Sequence, residues 1–198
     1  SFQWSVFGVR STLAFLSGIG SAMLAALLLP ILENLFHMTT DIRLLELSNL
    51  NSPILRRLAL EAPGTYHHSL NVGVLAEAAA EAIGANPLLV RVGAYYHDIG
   101  KLRKPEYYVE NQIYMPNKHE SLSPSMSSLI LASHVKDGNQ MANEISLAPE
   151  VAALIPQHHG TKVMSFFYQK AKQAAQNKQT EVSEEDFRYP GPKPQTRE

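Results

Sequence analysis

The doublet His97-Asp98, within Tyr-Tyr-His-Asp-Ile-Gly-Lys, stands among further histidines at spacings that suit a metal centre. A neutral imidazole beside a carboxylate can serve two neighbouring ions, the carboxylate bridging them, which is the core of two-metal phosphoester hydrolysis. His67 and His68 lie about one helix length upstream. His134 lies one element downstream, and His158-His159 one element after that. A lone histidine at any of these places reads best as a hydrogen-bonded core or capping residue. Four stations together reverse that preference.

His68 shares a helix face with Asn71, Val72, Leu75 and Ala79, so it turns towards the packing side. His67 points about 100° away. His134 falls deep in the apolar run Leu-Ile-Leu-Ala-Ser-His. His158 and His159 are consecutive before Gly160 and face one site only where their helix unwinds. The expected ligand set is therefore His68, His97, Asp98, His134, His158 and His159, around two divalent ions roughly 3.5–4 Å apart that turn water into hydroxide near neutral pH. Asp98 bridges. Lys101, one turn from His97, is assigned with Asp98 to catalysis, its ammonium facing a substrate phosphate or the leaving oxygen. His119, in Asn-Lys-His-Glu, is expected on a loop, touching substrate. His37, at the end of an apolar segment, is given no role. No Ser or Cys nucleophile with a positioned base is evident, and there is no glycine-rich phosphate loop.

The chain has no cysteine, which excludes disulfides and thiolate ligands and argues for a reducing compartment. Imidazole and carboxylate suit Fe, Mn or Zn. The net charge of −1 leaves no electrostatic footprint for a nucleic-acid polymer, whereas a small anion gripped by metals is compatible with it. Only 18% of residues are charged, against roughly 25% on average, and the deficit is local. Residues 1–40 hold just Arg10 and Glu33.

From Ser11 to Leu32 there are 22 residues without a charge, enough to span a bilayer core of about 20 helical residues. Ser17, Gly18, Gly20, Ser21 and Ala22 suit close packing on another membrane helix, and Trp4 and Phe7 suit an interface. Residues 1–36 thus read as a transmembrane helix, the last of several. A signal peptide would be shorter and would carry a cleavage site. Arg10 flanks one end, and Arg43, Arg56 and Arg57 follow the other, which favours a cytoplasmic C-terminal side. Residues 37–62 read as short juxtamembrane coupling helices, with starts at Thr40-Asp41 and at Asn51-Ser52-Pro53.

Residues 63–198 read as all helix: Tyr66–Ile83 stopped by Gly84, a helix from Asn86-Pro87 to the His97-Asp98 pair, and one from Ser123-Pro124 through His134. Glu150–His159 and the amphipathic Lys162–Gln176 follow, and residues 103–123 form an aperiodic loop. The fold expected is all-α, a helical bundle preceded by a membrane helix and coupling helices.

His-Asp-Ile-Gly-Lys with its histidine stations resembles the HD-domain phosphohydrolase superfamily. Longer runs are similar to one branch, the bacterial seven-transmembrane receptors with a cytoplasmic HD domain. These include Thr39-Thr40-Asp41-Ile42-Arg43-Leu44-Leu45-Glu46-Leu47-Ser48, Pro63-Gly64-Thr65-Tyr66-His67-His68-Ser69, Glu110-Asn111-Gln112, Ser133-His134-Val135-Lys136-Asp137-Gly138, Gln157-His158-His159-Gly160-Thr161 and Asp186-Phe187-Arg188-Tyr189-Pro190-Gly191-Pro192-Lys193-Pro194. The resemblance implies an HD-domain helical bundle at the cell membrane, with the domain in the cytoplasm. It implies hydrolysis of cyclic di-AMP to pApA with two divalent ions, iron or manganese. It places the ligands on the six residues named above, and Lys101, His119 and Asn111 are separately expected as substrate contacts. The partners implied are a cyclic dinucleotide and the membrane, with a second copy of the chain as a further candidate. Rival readings are an HD hydrolase of (p)ppGpp, cyclic di-GMP or deoxynucleoside triphosphates, and a non-catalytic nucleotide-sensing relay. The family closes its site with an aspartate on a helix after the Pro-Gly-Pro segment. This chain begins at Ser1 and ends at Glu198 without that helix, so the resemblance implies a fragment with an incomplete ligand set. Asp186 is a poor substitute.

Overall fold

Residues 4–36, 38–112, 116–176 and 181–198 are described by a computed structural model, and every regular element among them is helical. They form two units, Ser1–Thr40 and Asp41–Glu198. In the first, α1 (Trp4–Phe36) is about 50 Å long at roughly 1.5 Å per residue, against roughly 30 Å of bilayer hydrocarbon. Nearly all of its described side chains are exposed, Leu13, Phe15 and Leu27 among them. A core helix would have buried one face. The stretch Val6–Glu33 is long and apolar enough to cross a membrane. Glu33 ends the unit by accepting hydrogen bonds from the amide and the hydroxyl of Thr40. His37 lies outside the described residues.

The second unit holds α2 (Asp41–Leu47), α3 (Pro53–Glu61), α4 (Pro63–Ala82), α5 (Pro87–Tyr96), α6 (Pro124–Glu144), α7 (Pro149–Gln157) and α8 (Ser165–Gln176). Five of these begin with proline, whose missing N–H is one the first turn does not use. Asn86 and Ser123 complete two starts by accepting from Leu89 N at 3.0 Å and Met126 N at 3.2 Å. Pro63-Gly64, read from sequence as a break before Tyr66, is instead the first turn of α4, so His67 and His68 sit in its second turn. The expected loop at 103–123 contains 3-10 turns at Pro105–Tyr107, Val109–Asn111 and Lys118–Ser121, with residues 113–115 outside the description.

Residues 41–62 pack into the core of the second unit. Leu44 of α2 and Leu55 and Leu58 of α3 are fully buried in one core with Val92, Tyr96 and Ile99. Tyr96 donates from its hydroxyl to Leu47 O at 3.0 Å, fastening α2 to α5 just before the His-Asp pair. Their short apolar stripes were legible, but the partner they bury against was not. A smaller cluster of Met164, Phe167, Ala171 and Phe187 ties α8 to the segment after residue 181, and the isolated bridge Val163–Arg188 holds that segment in place.

Candidate metal centre

α5 ends at Tyr96, so His97 and Asp98 leave the helix into the 3-10 turn Ile99–Arg103 with their side chains directed inward. Asp98 is only 2% exposed. Its two oxygens face different histidines. Oδ2 lies 3.1 Å from His97 Nε2, while Oδ1 lies 3.3 Å from His134 Nε2 and 3.7 Å from His158 Nε2. Two ligands at about 2.1 Å from one ion and 90–110° apart are separated by roughly 3.0–3.4 Å, so these spacings suit shared coordination. Donor atoms of His68, His97 and Asp98 gather within 4.8 Å of one another, and those of Asp98, His134, His158 and His159 gather likewise. Asp98 belongs to both groups.

Three of the imidazoles are held by one device. Nδ1 of His97 lies 2.7 Å from Ala94 O, Nδ1 of His134 lies 2.6 Å from Leu131 O, and Nδ1 of His158 lies 2.6 Å from Ile155 O. A carbonyl only accepts, so each Nδ1 carries the proton and each Nε2 presents a lone pair to the centre. His134 Nε2 and His158 Nε2 then face each other at 3.2 Å, lone pair against lone pair. Asp98 Oδ1 is buried without a hydrogen-bond partner among the described residues. A divalent cation relieves both conflicts, and a donor set of imidazole and carboxylate fits Fe, Mn or Zn.

Charge balance keeps most of the ring capable of binding. Burial, reinforced by neighbouring histidines, pushes His158 down to about 3 and His159 down to about 4. Burial also lowers His134 and His68. His97 is the exception: burial works to lower it, but the adjacent Asp98 carboxylate raises it on balance. Asp98 is held well below the usual carboxylate range against its burial by His97, Lys101 and His134.

Most of the expected residues converge. His158 and His159 share the site because α7 stops at Gln157, and their rings lie 4.0 Å apart. Gly160, at φ 54°, turns the chain there in a conformation that favours glycine. The helix face expected to pack is largely open, with His68, Asn71, Leu75 and Ala79 exposed, yet His68 approaches His97 with ring centroids 5.5 Å apart, whereas His67, exposed as well, rests edge-on against Tyr66. Lys101 reaches the centre with its ammonium already shared, 2.9 Å from Asp98 Oδ2 and 2.7 Å from Glu110 Oε1.

Asn111 is engaged within the fold. Its Oδ1 accepts from Thr65 N at 3.0 Å and its Nδ2 donates to Thr65 Oγ1 at 2.9 Å, fastening the 3-10 segment to the start of α4. His119 is not on an open loop: it is 8% exposed in a 3-10 turn and bonds Tyr107 O through Nε2 at 2.8 Å. Asp186 lies in the turn Glu185–Phe187, outside both ligand groups. Sequence reasoning gave no role to Glu110, which also accepts from Thr65 Oγ1 at 3.1 Å. The adjoining Glu-Asn pair in an otherwise aperiodic stretch was its only signal.

A cavity of about 520 Å³ opens on the centre, lined by His68, His97, Asp98, Lys101 and His158 with apolar walls from Val72 and Leu154. The HD domain family model matches residues 65–195. The chain is 48% identical over 191 residues to the cyclic-di-AMP phosphodiesterase PgpH of Bacillus subtilis (strain 168), covering 96% of this chain and 26% of that protein. It is 48% identical over 185 residues to PgpH of Listeria monocytogenes, covering 93% of this chain and 25% of that one. It thus spans about a quarter of the length of the curated relatives it matches. The crystal structure of the L. monocytogenes PgpH HD domain in complex with cyclic-di-AMP superposes with a TM-score of 0.70 at 49% identity, over 75% of this chain and 67% of that one. By sequence and by structure, the chain belongs to the HD domain family.

Proposed function

We propose that the chain hydrolyses cyclic di-AMP to pApA as a metal-dependent phosphodiesterase tethered to the cell membrane. The observation that carries this reading is the division of Asp98, one oxygen turned to His97 and the other to His134 and His158. That is the arrangement a bridging carboxylate needs. HD domains bind divalent metal, and the identity of the relatives supplies the substrate. His68 and His97 would hold one ion with Asp98, and His134, His158 and His159 would hold the other. Imidazole and carboxylate without thiolate suit iron or manganese. When bound, the ions activate water and neutralise charge at phosphorus.

The remaining work falls to side chains. The carbonyls of Ala94, Leu131 and Ile155 fix the imidazole tautomers with the proton on Nδ1, so Nε2 is the ring atom that would face an ion. Lys101 brings a cation to the phosphate or to the oxygen released from it, and Glu110 holds the ammonium on station. Water adds across one phosphodiester and one P–O bond breaks, leaving a linear dinucleotide with a terminal phosphate. α1 crosses the membrane, and the arginines following it favour a cytoplasmic HD domain.

The test is product identification. Full-length protein supplied with manganese or iron is expected to convert cyclic di-AMP to pApA, and His97→Ala or Asp98→Ala to abolish turnover. Cyclic di-AMP left intact by the metal-supplied protein would refute the proposal.

A further inference from the structure

A second cavity, of about 380 Å³, lies against the same centre, with Lys101, His134 and His159 in its wall. Its size falls in the roughly 300–1,000 Å³ range of small-molecule sites. Away from the centre its walls are aromatic: Tyr107, Tyr108, Phe167 and Tyr189 line it with His119. Tyr189 stacks on His159 at 4.0 Å with 20° between the rings, and His119 tilts against Phe167 at 5.5 Å. Flat apolar faces of this kind receive nucleobases by stacking.

One polar atom in this wall is unexplained. His119 Nε2 must donate to the carbonyl of Tyr107, since a carbonyl cannot. Nδ1 is therefore a bare acceptor, and it is buried with no hydrogen-bond partner among the described residues. A buried acceptor of this sort needs a donor. The exocyclic amine of adenine is a donor, whereas guanine in the same pose turns its O6 acceptor to that place.

We infer that this aromatic cavity is an adenine subsite, in which the base stacks on Tyr107 and Phe167 while His119 Nδ1 accepts from its amine. The phosphate attached to that base then lies towards Lys101 and the metal ligands. The inference rests on the proposed function for its choice of an adenine nucleotide, and it assigns the base preference that metal chemistry at phosphorus cannot give.

Equilibrium binding tests it without turnover. AMP and GMP are titrated calorimetrically into the manganese-supplied protein, into His119→Gln, which keeps a donor for the Tyr107 carbonyl, and into Tyr107→Leu. The native protein is expected to bind AMP about tenfold tighter than GMP. His119→Gln should remove that preference by weakening AMP alone. Tyr107→Leu should weaken both, because stacking does not discriminate between bases. Equal affinity for AMP and GMP in the native protein, no AMP binding, or parallel losses of AMP and GMP in His119→Gln would each overturn the subsite. Failure of the proposed function would instead appear as intact cyclic di-AMP in the product assay, whatever the mononucleotide affinities are.

Discussion

Gly100→Ala is expected to dismantle half of the metal centre without altering a ligand. Gly100 follows the His97-Asp98 pair by two residues, in the turn that packs against α6. A Cβ at Gly100 would lie 2.0 Å from the carbonyl oxygen of His134 and 2.4 Å from the amide nitrogen of Gly138, both main-chain atoms of α6. Real Cβ contacts essentially never fall below 3.0 Å, so the α6 backbone at His134 has to retreat by about 1 Å. A functional constellation tolerates about 0.5 Å, and metal–ligand distances only about 0.2 Å. Overpacking of this kind costs roughly 1–3 kcal/mol, and a wedge against helix backbone belongs at the upper end. For a chain of this size that corresponds to a fall in Tm of about 6–12 °C. Thermal unfolding without metal, with manganese content measured separately, gives both readings. The expected result is a lower Tm together with loss of the ion on the His134 side. A variant with native Tm and native metal content would refute the argument that backbone proximity at Gly100 sets the position of His134.

Other consequences follow from the same contacts. His158 and His159 are pushed down to about 3 and about 4 from an ordinary 6.5, chiefly by burial, so below pH 6.5 the unfolded metal-free chain takes up protons that these residues resist when folded. Their stabilisation, present above pH 6.5, is lost as pH falls towards 3. His97 acts in the opposite sense, stabilising below 6.5 and losing that contribution as pH rises through its raised value, but His68 and His134 side with His158 and His159. The Tm of metal-free protein should therefore fall from pH 7 to pH 4, and a flat or rising profile would contradict this. Glu110→Gln removes one of the two carboxylates holding Lys101. Since a hydrogen bond to a charged group contributes about 1.5–3 kcal/mol, turnover should fall roughly ten- to hundredfold with metal content retained, and native turnover would deny Glu110 its positioning role. Asn111→Ala frees the amide of Thr65 at the start of α4 and leaves its hydroxyl bonded to Glu110 alone. A stability loss of about 1–3 kcal/mol in denaturant unfolding is expected, with native KM, and a raised KM at native stability would restore Asn111 as a substrate contact.

Periodicity and punctuation made the helices legible. Proline at the first position and Asn86 or Ser123 before it marked most starts correctly, because local backbone chemistry decides them. Pro63-Gly64 misled because the same proline that ends one helix can open the next. The gathering of His68, His97, His134, His158 and His159 around Asp98 was legible as a set, since so many histidines at element-length spacings about a His-Asp pair have few other reasons. What local sequence could not carry was long-range pairing. That Leu44, Leu55 and Leu58 bury against Tyr96 and Ile99, that Asn111 serves Thr65, and that His119 turns into an aromatic wall depend on contacts across many residues of chain. The 3-10 turns after Ile99 have neither the 3.6-residue nor the two-residue period, so Glu110 and its hold on Lys101 stayed hidden.

The most direct test counts manganese bound by the native protein and by Asp98→Asn at saturating metal, using elemental analysis alongside binding isotherms. A carboxylate shared by two ligand groups predicts two ions per chain in the native protein and coupled weakening of both in the variant. Loss of one ion, with the other held at native affinity, would contradict the bridging role of Asp98.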